Sequence, residues 1–385
     1  LNHIRVENTS DGVVNLLSFS PLHIFWAGRE AVILFFVLSG FVLALPFLSP
    51  TRPGYVAYSF KRVCRIYIPY ITAMILAVVA FNITPKISNE GFSLWYKEIW
   101  KENLALDSLV GTLLLTGYKS HVFNTSAWSL VHEIRISLLM PFLVYAVSRL
   151  RLKKTLALFI PLTIGSGAVL RLLGEQIGSE FWKYHVGSLG DTCYYMIFFV
   201  VGILIALYKS DLSRLYHHSA RWLQASLLPL ALSLYCFEWI APSLSAYKSS
   251  KDIVLLLLAY IEVDYVVTMG VALLLVLAMN SRSVERFLNL GPIQYLGKIS
   301  YSIYLVHAII LIVMMNLFPE IHAPFKTVAT VVPLAIIAGS FFYRFVEVPS
   351  IDLGKRLSAK FAISRHAPGQ VPCGKQTDPG RLNAA

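Results

Sequence analysis

Apolar residues in this chain come in long blocks and not in strand-like alternation. Runs such as Ala31–Phe47, Leu156–Leu173 and Asp252–Met279 approach or exceed the ~20 residues that a helix needs to cross a bilayer. Apolar windows predict nine helices, at 31–47, 66–83, 128–147, 155–173, 191–207, 222–240, 254–279, 299–318 and 326–346. A shorter run, 104–116, is too short to cross comfortably and reads as a re-entrant or interfacial segment, or as a tenth span. The fold class expected from this pattern is all-α, a polytopic transmembrane helical bundle. The expected division is a membrane-embedded domain over 1–349 and a cytoplasmic tail over 350–385. The Pro- and Gly-containing end of that tail, from about Ala367, is expected to be disordered.

The polar stretches between the blocks differ in charge. One alternate set of loops, together with the C-terminal segment, holds 21 Lys and Arg residues; the other set holds 10. The positive-inside rule places the richer set in the cytoplasm. The C-terminus is then cytoplasmic, provided that 104–116 is not a full crossing. Helix 31–47 runs inward from the outer side, so Leu1–Ile4 reads as the stub of a preceding helix. The full protein is expected to have ten spans. No charged segment followed by a short apolar run and a cleavage pattern marks a signal peptide.

Composition agrees with the pattern. Apolar residues make up 56% of the 385 positions and charged residues 14%, too little polar surface to cover a water-soluble globule of this size. The formal charge of +12 raises nucleic-acid binding as a possibility. Topology accounts for it better, since no basic run is interleaved with aromatics. Cys64, Cys193, Cys236 and Cys373 are far apart in sequence and have the spacing of neither a disulfide framework nor a zinc site; no metal ligands are expected. No repeat of 20–50 residues is visible.

Ionisable residues within apolar helices are expensive and mark candidate chemistry. Glu133 and Arg135 lie inside the helix beginning at Trp128, His307 lies inside 299–318, and Glu347 ends the last helix. Glu133 and His307 are too short to snorkel; each is a functional residue or a satisfied structural one. Arg171, near a helix end, reaches an interface. Glu262 and Asp264 are interfacial if their helix begins later than drawn. Arg62 and Arg65 are three apart and share a helical face. Two readings stand: routine basic residues at the inner membrane edge, or paired guanidinium groups that clamp a phosphate.

Six stretches, taken together, resemble one family, the acyltransferase-three family of multi-pass membrane O-acyltransferases. Leu1-Asn2-His3 resembles the histidine-terminated end of its first helix. Residues 31–41, AVILFFVLSGF, resemble its second-helix signature. Arg62-x-x-Arg65-Ile66 with Pro69 resembles its R-x-x-R motif, and Trp128-Ser129-Leu130-Val131-His132-Glu133 its W-S-L-x-x-E motif. Ile299-Ser300-Tyr301-Ser302-Ile303-Tyr304-Leu305-Val306-His307 and Glu347-Val348-Pro349 resemble its last two. The sequence departs from the family in lacking the start of the first helix, and in following Glu133 with Ile134-Arg135-Ile136-Ser137 where aromatics are usual.

The resemblance implies transfer of an acyl group, usually acetyl, from cytoplasmic acyl-CoA to a hydroxyl of a carbohydrate or glycolipid acceptor. No cofactor is held permanently, and the expected setting is a bacterial inner membrane. It marks His3 as the essential histidine. His3 would act as general base for direct attack, or carry the acyl group in a relay. Glu133 would orient an imidazole or hold the acceptor, and Arg62 and Arg65 would grip the phosphates of the donor. Ser300, Tyr301, His307 and Glu347 would play supporting parts. His132 points about 100° away from Glu133 on a helix and is expected to be non-catalytic. The competing reading is a transporter or exporter of lipid-linked sugars, against which stands the lack of paired repeats with broken helices. A membrane glycosyltransferase would require carboxylate-rich, metal-facing motifs, which are not seen.

Overall fold

The computed structural model describes residues 24, 27–85, 99–100, 106–118, 123–237, 253–318 and 324–363. These form thirteen α-helices and one short π-helix, with no strand among the described residues. In order the helices are α1 Gly28–Leu48, α2 Tyr55–Ile83, α3 Leu106–Leu113, α4 Ala127–Arg149 and α5 Leu152–Glu175. They continue with α6 Glu180–Leu207, α7 Lys209–His218, α8 Arg221–Tyr235, α9 Ile253–Asn280 and α10 Arg282–Leu288. Then come α11 Gly291–Leu317, α12 Pro324–Phe342, a π-turn at Tyr343–Glu347 and α13 Val348–Ile363. Eight stretches of helix are long and apolar enough to cross a membrane, the last running without a break through Lys326–Phe361. The protein is an integral membrane protein with a polytopic helical bundle.

Several boundaries differ from those expected. Helix α2 begins at Tyr55 and not at 66, which brings Arg62 and Arg65 into its interior. Lys and Arg are good helix formers; an apolar window ends where their charge begins, whereas the hydrogen-bonded helix does not. At its other end, Thr84 adopts an extended conformation (φ −88°, ψ 129°), as a residue before proline must. Helix α6 likewise starts eleven residues early, at Glu180. Helix α8 has 15 residues, about 22 Å at 1.5 Å per residue, shorter than the span expected at 222–240; positions 238–250 lie outside the described residues. Helix α3 has only 8 residues, about 12 Å, and cannot cross a ~30 Å hydrocarbon layer. The division expected at 349/350 falls inside continuous helix, because α13 follows the π-turn directly and packs along α2.

Two apolar cores divide the bundle. One joins α1, α4, α6 and α9 around Phe36, Met140, Phe198, Phe199 and Val267. The other joins α2, α4, α11 and α12 around Tyr70, Met74, Leu130, Val306 and Ile312. Helix α4 serves both. Its residues Leu130 and Val131 belong to the second core, and Ile136 and Met140 to the first.

Helices α1 and α6 cross at the closest approach in the first core. A Cβ on Gly40 would stand 2.3 Å from the carbonyl oxygen of Phe199, and one on Gly202 would stand 2.1 Å from that of Val37. The glycine of the second-helix signature is thus a packing device, small because two backbones meet there.

Candidate functional site

The residues of the R-x-x-R and W-S-L-x-x-E motifs meet where the two cores adjoin. Arg62 of α2 donates from Nη2 to Oε1 of Glu133 at 2.9 Å and to Oγ of Ser137 at 3.1 Å. Both partners are sealed from solvent, with side chains 10% and 5% exposed. Ser137 stands one turn after Glu133, so the two share a face of α4. The hydroxyl of Tyr58, one turn before Arg62, donates to the Ser137 carbonyl at 2.8 Å and closes the seam below. Arg62 Nε and Glu133 Oε2 are buried without hydrogen-bond partners.

Arg65 does not share this seam. A three-residue step turns it about 60° from Arg62, and it is exposed while Arg62 is buried. Its charge acts on Glu133, Tyr301 and Glu347. The two arginines therefore differ: Arg62 is bonded to a carboxylate, and Arg65 is exposed.

The I-S-Y-S-x-Y-L-x-H stretch lines the same region from α11. Tyr301 donates to the carbonyl of Ile66 at 3.1 Å, tying α11 to α2 beside Arg65. Ser302, which sequence reasoning passed over, is buried and donates to Glu347 Oε2 at 2.6 Å. Glu347 closes the π-turn, a widening of the helix found most often at functional sites. Ser300 is exposed and bonds back to Gly297 O at 2.9 Å, so this motif serine faces away from the ion pair. His307 is half-buried. Its Nδ1 lies 2.8 Å from the Tyr304 carbonyl, which can only accept, so Nδ1 carries a proton and a neutral ring keeps Nε2 as its acceptor.

Helix α4 is locked to α11 at its start. Asn124 Nδ2 donates to Leu305 O at 2.9 Å, Ser126 Oγ to Tyr304 O at 2.6 Å, and Ser129 Oγ pairs with the Tyr304 hydroxyl at 2.6 Å. These contacts set the depth of Glu133 relative to His307. His132 turns the other way, with Nδ1 2.9 Å from Thr192 Oγ1 on α6 and its ring packed against Tyr195 and Trp128. His3 and Leu1–Ile4 lie outside the described residues, as does the stretch from Ala367. Among the described residues no group of three His, Cys, Asp or Glu is arranged to hold a metal.

A second buried ion pair escaped the sequence. Asp264, read as interfacial, is fully buried and gripped through both oxygens by Arg29, Nε to Oδ1 and Nη2 to Oδ2 at 2.8 Å each. Tyr194 adds a hydroxyl at 2.8 Å. Arg29 and Asp264 are 235 residues apart, and no local spacing announces such a pair.

Comparison with known proteins bears on this arrangement. The chain is similar to the protein named O-acetyltransferase OatA in Staphylococcus aureus strains NCTC 8325 / PS 47, COL and MRSA252, with 24% identity over 189 residues in each. The similarity covers 43% of this chain and 31% of each of those proteins, so the shared part is under a third of their length. No solved structure matches. The family described as "Acyltransferase domain", acyltransferase 3, matches residues 3–343, which include Arg62, Glu133 and His307, so the chain belongs to that family.

Proposed function

We propose that the protein moves an acyl group, most simply acetyl, from acyl-CoA on the cytoplasmic side to a hydroxyl of a carbohydrate or glycosylated acceptor. The observation that carries this reading is the Arg62–Glu133 pair, which joins two separate motifs in one buried seam and leaves a carboxylate oxygen uncommitted. A sugar hydroxyl is a weak nucleophile and needs a base within hydrogen-bond reach. His3 is assigned that part, and Glu133 Oε2 is a natural partner for an imidazolium. Arg65, exposed beside Tyr301 and Glu347, is assigned to the donor's phosphates.

Two features support the orientation. The loops rich in Lys and Arg adjoin the start of α2 and the end of α4, and α3 is too short to invert the count of crossings. The donor then enters near Tyr55 and the acceptor near Ala127. The name O-acetyltransferase borne by the staphylococcal relatives supports acetyl as the group transferred.

The test is mass spectrometry of surface glycans from cells carrying the full-length gene, the gene with Glu133→Gln, or no gene. Acyl esters present only with the unsubstituted gene are expected. If the glycans disappear from the surface without losing an ester, the protein exports them and the acyl-transfer reading is wrong.

A further inference from the structure

Arg135 lies on the face of α4 opposite the ion pair, about 12 Å from the Ala127 end. Its hydrogen bonds go only to neutral oxygens. Nη1 donates to Ser188 Oγ at 2.9 Å, Thr192 Oγ1 at 3.1 Å and Ser188 O at 3.3 Å; Nη2 makes a single long contact to Thr116 O at 3.4 Å. No carboxylate lies within ion-pair distance of it among the described residues. An arginine within a membrane helix is costly and normally has a counter-charge.

The molecule supplies its own standard of comparison. Arg29 uses its Nε/Nη2 edge for the two-pronged grip on Asp264. On Arg135 the same edge carries no bond from Nε and only the long one from Nη2. A guanidinium edge of this kind matches the two oxygens of a carboxylate or phosphate. Nη1 is meanwhile anchored to α6, which holds the fork in place.

The surroundings suit a sugar chain. Beside Arg135, Tyr184 donates to Gly117 O at 2.5 Å. Around it, Tyr118, Phe181 and His185 form a ring cluster, with centroids 4.2 to 5.8 Å apart. Such amphipathic faces stack on apolar surfaces of a ligand and leave polar edges free. The Thr116–Tyr118 loop is fixed by the end of α3. Thr116 N donates to Gly111 O and Leu115 N to Thr112 O, with Leu115 in the left-handed region at φ 52°. A non-glycine residue there is strained and is held by its surroundings. Asp191, the carboxylate whose charge reaches Arg135 through space, is itself paired with Arg171.

We infer that the Nε/Nη2 edge of Arg135 is a subsite for an oxyanion of the acceptor, a carboxylate or a phosphate on the sugar chain. The inference rests on the reading that a carbohydrate acceptor approaches from the Ala127 end.

The test measures equilibrium binding to the purified full-length protein in detergent. The probes are a galacturonic-acid oligosaccharide, a galactose oligosaccharide of equal length, and the latter bearing a terminal phosphate. At least one anionic probe is expected to bind tenfold or more tightly than the neutral one, and which anion wins identifies the source. Arg135→Gln should erase that preference, and Arg135→Lys, which keeps the charge and loses the fork, should retain part of it. Equal binding of all three probes overturns the proposal. So does an Arg135→Gln protein that melts earlier yet keeps the anionic preference, since Arg135 is then only a clamp between α4 and α6. Acyl-CoA consumption by the same preparation is scored separately. Its absence alongside selective anion binding would refute acyl transfer and leave the subsite standing.

Discussion

Glu133 accepts from Arg62 through Oε1 at 2.9 Å while its Oε2, equally buried, has no partner. A native interior seldom leaves a carboxylate oxygen orphaned, and the exceptions concentrate where a ligand or reacting group completes the set. The pair is also the bridge between the two apolar cores, because α2 and α4 each contribute to both. Structure and chemistry therefore depend on the same two side chains, and substitutions must be chosen to separate them.

Arg62→Ala strands an ionised or freshly neutralised carboxyl in the interior and should destabilise the protein by about 3–5 kcal/mol. The double variant Arg62→Met with Glu133→Leu removes both charges and keeps the volume, so most of that loss should be recovered. Neither variant should transfer acyl groups. Thermal unfolding in detergent, compared with acetyl transfer from labelled acetyl-CoA, measures both. An Arg62→Ala protein as stable as the parent would show that the buried pair contributes nothing.

Ser302 and Glu347 form a second coupled unit, joined at 2.6 Å between α11 and the π-turn. Ser302→Ala deprives a buried carboxylate of its donor, at a cost of about 1–3 kcal/mol. Ser300→Ala, two positions away, removes an exposed hydroxyl bonded within its own helix and should stay within about 0.5 kcal/mol. Unfolding curves of the two variants should differ clearly; coincident curves would mean that the Ser302 bond is not maintained in the membrane protein.

The glycine of the second-helix signature can serve catalysis or packing, and the close approach at Gly40 favours packing. Gly40→Ala places a Cβ 2.3 Å from a backbone carbonyl that cannot swing aside. Helices α1 and α6 must then separate, and overpacking of this kind costs about 1–3 kcal/mol or more. Gly202→Ala should behave alike. Lower melting temperatures and lower yield of folded protein are expected for both. Gly28→Ala, with open space at the corresponding position, is the control. Full stability together with lost transfer in Gly40→Ala would restore the catalytic reading.

How much of this was legible beforehand follows from the range of each signal. Membrane helices announce themselves through local composition, and eight of the nine expected spans match the observed crossings to within a few residues at one end or both. Polar helix starts did not announce themselves. The stretches Tyr55–Arg65 and Glu180–Gly190 carry charged and polar residues that end an apolar window, while the helix runs on through them. Glu133 and Arg62 stood out as costly residues, but their union spans 71 positions and no spacing rule pairs them. Arg62 and Arg65 read as helical neighbours, and their different exposure was not legible. Three-residue spacing guarantees neighbourhood on a helix, and it does not guarantee that both neighbours face the same environment.

The latch between Arg29 and Asp264 allows a sharper test, because its two ends differ in access to water. The side chain of Arg29 is 38% exposed and that of Asp264 only 1%. With the aspartate removed, Arg29 stays partly exposed, where water and headgroups can solvate it. Removing the arginine leaves a carboxylate held mainly by the Tyr194 hydroxyl, deep between α1, α6 and α9. Arg29→Ala should therefore destabilise by more than Asp264→Asn, though each removes one unit charge and Arg29 is the more exposed. The reverse order would place Asp264 in contact with solvent or with another cation. A double variant combining both changes discriminates further. If the two residues act through one another, its loss of stability falls well short of the sum of the single losses. Additive losses would mean that α9 is held to α1 by packing alone, and that the bidentate contact is incidental to the fold.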